Sequence, residues 1–204
     1  PLFIVLLPVS AALLCMLFSR IQKNLGSWIV IASIVGAFLS AVTSLQRVIA
    51  DGGKPIHYWM GNWQPPLGIE FVIDPISGAL AVLITFIALL GSLYSLPFVK
   101  EEGWLHIGGY YTLYGLMTVG MCGMVITGDV FNLYVFLEVM SLSGYGLIAI
   151  GGKKSMLAAF RYLLIGTIGA SLYLLGVGYM YALTGTLNMA DMAVRAAEFL
   201  NYPL

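Results

Sequence analysis

Charge is scarce in this chain: Lys and Arg number 9 and Asp and Glu 9 among 204 residues, and the formal net charge is zero. With no basic tract, neither nucleic acid nor an anionic lipid surface is indicated as a partner. Histidine and cysteine are sparser still, with 2 of each. Cys15 and Cys122 lie far apart inside apolar segments, without metal-ligand spacing, and read as small buried hydrophobes. His57 and His106 fall in or near loops, where a solvated or interfacial imidazole is expected. No Cys/His cluster, nucleophile elbow or dinucleotide fingerprint occurs, and Gly151-Gly152-Lys153 lacks the strand–turn–helix setting of a phosphate loop. We therefore expect no catalytic residue, no metal and no cofactor in this chain.

Hydrophobic residues make up 60% of the sequence, above the roughly 45–50% typical of soluble domains. That composition places the chain in a lipid bilayer. Hydropathy marks six spans, at about 2–18, 28–48, 75–99, 107–126, 130–150 and 157–183. The expected fold class is an all-α polytopic membrane protein with its six spans in one transmembrane domain over 1–204. The first span contains Pro8 and is not preceded by the basic segment of a secretory signal. Arg20 and Lys23 follow span one, Lys100 follows span three, and Lys153 and Lys154 follow span five. By the positive-inside rule the amino terminus is outside, and loops 19–27, 100–106 and 151–156 are cytoplasmic.

Three connections carry information. Only Thr127, Gly128 and Asp129 join spans four and five, so a tight turn is expected, with Asp129 as a helix cap rather than the mouth of a pathway. In loop 51–74, Ile56, Tyr58 and Met60 alternate with His57 and Trp59, and Ile69, Phe71 and Ile73 alternate with Glu70, Val72 and Asp74. This pattern predicts a two-stranded hairpin on the outer surface, with Trp59 and Trp63 at headgroup depth. Residues 188–200 place Met189, Met192, Ala193, Ala196 and Leu200 at helical spacing, as in an amphipathic surface helix.

Glu138 stands out because it lies in the middle of an otherwise uncharged apolar span. An ionisable side chain at that depth costs about 2.5 kcal/mol or more on insertion scales, and such groups face protein or water and mark ion or proton pathways. At helical spacing Tyr134, Glu138, Ser141 and Tyr145 share one sector, so two phenols and a hydroxyl can hydrogen-bond the carboxylate or hold water beside it. A buried cation would favour the charged form and desolvation the protonated one. The nearest candidate cation, Arg161, shares its face with Ile165, Ile168 and Leu172. Snorkelling to the cytoplasmic interface is the preferred reading of Arg161 over an intramembrane partner role. Small residues on span two (Ser33, Ala37, Ser40, Ser44) and span six (Gly166, Ala170, Ser171) read as close helix packing, as do Met117, Met121 and Met124 on span four.

The run from Thr127 to Val139, Thr-Gly-Asp-Val-Phe-Asn-Leu-Tyr-Val-Phe-Leu-Glu-Val, resembles the fifth-helix signature of antiporter-like subunits of Mrp-type cation/proton antiporters. Related subunits occur in respiratory complex I and in membrane-bound hydrogenases. Gly185-Thr186-Leu187-Asn188-Met189 and the segment 61–74 are similar to the D-type Mrp pattern. The resemblance implies a fold of about fourteen helices with inverted repeats and sites near the midplane. It also implies that Glu138 pairs with a lysine on a seventh helix. The sequence ends at Leu204, where that helix would begin, so a piece of a longer or split subunit is expected.

On this reading the chain is an ion-translocating subunit of a multi-subunit complex in a prokaryotic inner or plasma membrane. It moves protons, sodium ions or both, driven by a gradient or by a redox reaction whose centres lie in other subunits. Expected pathway residues are Glu138, Tyr134, Ser141 and Tyr145, with Asp129 and Arg161 as further candidates. The alternative is a non-pumping scaffold that bridges neighbouring subunits. An unrelated small-solute transporter would need a more polar cavity than these spans provide.

Overall fold

The computed structural model describes residues 1–22, 24–99 and 104–201. Lys23 and Lys100, two of the residues behind the orientation, lie outside the described residues, as do Leu204 and the side chain of Leu200. The chain forms α1 (Leu2–Ile21), α2 (Leu25–Ala50), a hairpin of β1 (Ile56–Trp59) and β2 (Glu70–Ile73), then α3 (Pro75–Val99), α4 (Trp104–Ile126), α5 (Val130–Ala149), α6 (Lys153–Thr184) and α7 (Met189–Asn201). Helices α1 to α6 are long and apolar enough to cross a membrane, and the protein is an integral membrane protein. Several helices outrun the hydropathy spans. α1 continues past Phe18, α2 begins before Trp28, and α6 begins four residues before Leu157. Hydropathy marks the segment suited to hydrocarbon, whereas backbone hydrogen bonding carries a helix on through polar residues at the headgroups.

Caps fix where the helices begin. Asp74 Oδ1 accepts from the Ser77 amide at 2.6 Å while Ser77 Oγ accepts from the Asp74 amide at 2.8 Å, a reciprocal cap that starts α3. The Ser77 hydrogen bonds hold the Asp74 carboxyl below its ordinary pKa. α6 ends at Gly185, whose φ of 70° supplies the left-handed turn.

Helices α1, α2, α3 and α4 pack together, α5 adds to α4, and α6 packs chiefly on α5. One buried cluster, including Ile4, Val48, Ile73 and Ile126, fills the end near the hairpin; another, including Ile34, Ile107 and Tyr111, fills the opposite half. Tyr111 is fully buried because its hydroxyl is satisfied by Ser95 Oγ at 3.0 Å and the Ser92 carbonyl at 3.2 Å.

The hairpin forms with Ile56 opposite Ile73 and Trp59 opposite Glu70. It differs from the sequence expectation at two points. Met60 turns into a short 3-10 segment (Met60–Asn62), and Glu70, though it alternates with Phe71 and Ile73, is buried as they are, at 5% exposure. The cause is that β2 is covered on both sides. Phe71 bridges to Thr127, the Gly128 amide donates to the Glu70 carbonyl at 3.0 Å, and Asp129 bridges to Asn188. The hairpin, the α4–α5 turn and the α6–α7 link thus form one hydrogen-bonded plate at one end of the bundle.

α7 buries Met192 and partly buries Met189 and Ala196, but Ala193 is exposed and Arg195 turns partly inward. Arg195 is held by Asp191 at 3.0 Å and donates to the Thr184 carbonyl at 3.0 Å, closing the end of α6. The same guanidinium lowers the Asp191 carboxyl below its usual range.

Candidate functional site in the seam between helices α5 and α6

Asp129 caps α5. Its Oδ1 accepts from the Asn132 amide at 2.7 Å, and Thr127 Oγ1 accepts from Asn132 Nδ2 at 2.9 Å. Burial raises the Asp129 carboxyl above its ordinary value, and the amides of Asn132 and Phe131 oppose that rise. The residue is 7% exposed and acts as the cap expected of it.

Two glycines of α4 set how closely α5 approaches. A Cβ on Gly120 would lie 2.6 Å from the Met140 amide nitrogen and 2.7 Å from the Phe136 carbonyl, and one on Gly123 would strike the Phe136 ring. The α5 backbone is therefore pressed onto α4 at residues 136 and 140, the positions two residues to either side of Glu138. The sequence signal for this contact is the Gly-x-x-Gly pair on span four, which lies among the methionines that the helical pattern assigns to packing.

On another side α5 meets α6. Tyr134 stacks on Tyr173 with ring centroids 6.4 Å apart, and Tyr145 packs edge-to-face on Tyr162 at 4.8 Å. The Tyr145 hydroxyl also occupies the space a side chain at Gly166 would fill. Both pairs define one antiparallel register, with positions 169 and 166 level with Glu138 and Ser141 along the axis; Gly169 is exposed, with nothing within 4 Å of where a side chain would begin. Glu138 and Ser141 are partly buried. The structure keeps Tyr134, Glu138, Ser141 and Tyr145 on one face, but the tyrosines bind α6 instead of closing around the carboxylate. Among the described residues no hydrogen bond or ion pair engages Glu138, and Tyr173, not Tyr134, donates to the Val130 carbonyl at 3.0 Å. Arg161 is exposed on α6. The register sets it opposite residue 146, about 12 Å along the axis from Glu138 at the helical rise.

A second polar group escapes the sequence pattern. Glu70 accepts from Asn188 Nδ2 at 2.7 Å and lies 3.2 Å from His57 Nδ1. His57, expected to be solvated or interfacial, has a half-exposed side chain, at 48%, that is also engaged by the buried acid. Strand alternation separates Glu70 from Phe71 and Ile73 without marking it as buried, and a contact across 118 positions, with Asn188, leaves no local periodic signal.

Residues 127–203 match the family described as NADH:quinone oxidoreductase/Mrp antiporter, TM, a match that opens at the α5 cap and runs through α6 and α7. NADH-quinone oxidoreductase subunit N of Desulforudis audaxviator is 43% identical over all of this chain and 40% of its own length. The D-type Na(+)/H(+) antiporter subunit of Bacillus subtilis is 32% identical over 95% of this chain and 38% of its own. Residues 127–203 carry the signature of this NADH:quinone oxidoreductase/Mrp antiporter family. Among solved structures, the archaeal membrane-bound sulfane sulfur reductase superposes with a TM-score of 0.86 at 32% identity, over 94% of this chain and 39% of its counterpart. The Mrp complex from Dietzia sp. DQ12-45-1b superposes with a TM-score of 0.78 at 26% identity, over 96% and 38%. The chain spans about two fifths of the length of these relatives.

Proposed function

We propose that this chain is part of an ion-translocating, antiporter-like subunit of a multi-subunit membrane complex, and that Glu138 is its protonatable site. The observation that carries the reading is Glu138 itself: a partly buried carboxylate on the helix face between Tyr134 and Tyr145, with no hydrogen bond or ion pair among the described residues. A structural acid at this depth would be locked into hydrogen bonds, because leaving them unmade is costly. An intramembrane carboxylate flanked by phenols and a hydroxyl suits a proton pathway that a cation approaches and leaves. Tyr134, Ser141 and Tyr145 line its seam, Asp129 secures the outer end of its helix, and Arg161 anchors α6 at the cytoplasmic interface.

Relatives named for Na(+)/H(+) exchange and for NADH-quinone oxidoreduction support protons, sodium ions or both as the cargo, and neighbouring membrane subunits as partners. No redox chemistry is assigned to this chain. The amino terminus and the hairpin face outward, and the membrane is the inner or plasma membrane of a prokaryote; Arg20, Lys153 and Lys154 support that orientation. The test is to purify the intact complex, reconstitute it in liposomes and record proton movement with and without a sodium gradient. Exchange between the two ions, or pumping driven by an electron donor, is the expected result. A sealed, assembled complex that moves neither ion would refute the proposal and leave a bridging role.

A further inference from the structure

The plate at the outer end of the bundle contains an acid that the seam around Glu138 does not use. Glu70 is 5% exposed, and its carboxylate lines a recess of about 260 Å³ together with His57, Asp74, Ser77 and Thr127. That volume accommodates several waters at about 30 Å³ each. The titratable and charged groups on the surrounding elements are His57 of β1, Asp74 after β2, Asp129 at the start of α5, and the Asp191–Arg195 pair on α7. Only His57 contacts Glu70 directly among them, at 3.2 Å. A hydrogen bond between an imidazole nitrogen and a carboxylate oxygen requires one proton between them, carried by either partner. The pair also straddles a boundary, with the His57 side chain 48% exposed and that of Glu70 7%.

We propose that His57 and Glu70 form a proton-exchange site on the outer face, loading from or discharging to external water for the pathway through Glu138. The inference rests on the translocation reading and on its orientation. In one direction, hydronium gives a proton to His57 Nε2 while the Nδ1 proton passes to Glu70 Oε2, leaving a neutral imidazole of the other tautomer and a carboxylic acid. The acid then releases its proton to water in the recess, restoring the carboxylate, and exchange with water returns the imidazole to its first tautomer. Glu70 sits beside the start of the helix that carries Glu138. Its carbonyl receives the Gly128 amide at 3.0 Å, next to the Asp129 cap, and Glu138 lies about 13 Å deeper along α5 at the helical rise. A merely structural Glu70 would tie the hairpin to Asn188, a task Gln performs equally well: its oxygen still accepts from Asn188 and its amide can donate to His57 Nδ1.

The experiment uses the intact complex in liposomes and sets the buffer on the hairpin side independently. Glu70→Gln is expected to assemble normally and to slow proton flux at least about tenfold, a conservative share of what a positioned proton-transfer group supplies. His57→Ala is expected to slow flux at low outer buffer and to recover when imidazole is added on that side alone. Wild-type flux in assembled Glu70→Gln overturns the proposal. Should Glu70→Gln not assemble, His57→Ala decides: wild-type flux, or slowed flux that imidazole does not restore, overturns it as well. Glu138→Gln separates the two readings. If it is silent while the Glu70 and His57 variants run at wild-type rate, only the outer site fails; if it runs at wild-type rate, the translocation reading fails.

Discussion

Replacing Gly120 with Ala tests whether α4 sets the position of the helix that carries Glu138. A methyl at this position would sit 2.6 Å from the Met140 amide nitrogen and 2.7 Å from the Phe136 carbonyl. Ordinary carbon contacts begin near about 3.5 Å, so α5 must retreat by roughly 0.9 Å. The obstacle is backbone, which no rotamer change relieves. Overpacking of this kind costs about 1–3 kcal/mol, against a helix-propensity gain of about 1 kcal/mol from replacing glycine. Gly109, on the same helix, has nothing within 4 Å of the point where a methyl would sit, and reports the propensity gain alone. Heat denaturation of the intact complex in detergent should therefore rank Gly109→Ala at or above wild type and Gly120→Ala below it. Flux should fall with Gly120→Ala even where assembly is preserved, because Glu138 lies between the two displaced contacts. Equal or greater stability of Gly120→Ala, with unchanged flux, would refute the close contact and the positioning argument built on it.

Three further outcomes follow from the geometry. Asp129→Ala should cost about 1 kcal/mol through loss of the α5 cap, while Asp129→Asn keeps the cap and should be near neutral, as read by chemical denaturation. The raised pKa of Asp129 gives its pH dependence a definite sign. The folded state binds the proton more tightly than the unfolded one, so the stability contribution is complete below the unfolded value and declines as pH rises through the folded value. Asp129→Asn should abolish that decline. Tyr111→Phe should lower stability by about 0.5–1.5 kcal/mol, the net value of one hydrogen bond, without altering flux, since its hydroxyl serves Ser95 and Ser92 far from the seam.

The six spans, the 127–129 turn and the amphipathic α7 were legible because each is a local pattern: a long apolar run, a three-residue connection, a helical repeat. The face shared by Tyr134, Glu138, Ser141 and Tyr145 followed from the same periodicity. What that face meets did not. Whether Tyr145 bonds the carboxylate or fills the notch at Gly166 depends on the register of α5 against α6, which no single span encodes. Glu70 was hidden for a related reason. Its burial comes from the α4–α5 turn and the α6–α7 link closing over a strand whose own alternation does not mark the side chain as buried. Arg195 belongs to the same class, since its bond to the end of α6 overrides its place on the polar side of the α7 wheel.

The central claim is that Glu138 carries the proton. The most direct test is Glu138→Gln in the intact complex, with ion flux normalised to the amount of assembled complex. Gln keeps the shape of the side chain and removes its charge and its proton. Assembly is expected at the wild-type level with flux reduced to background; flux at the wild-type rate would contradict that role.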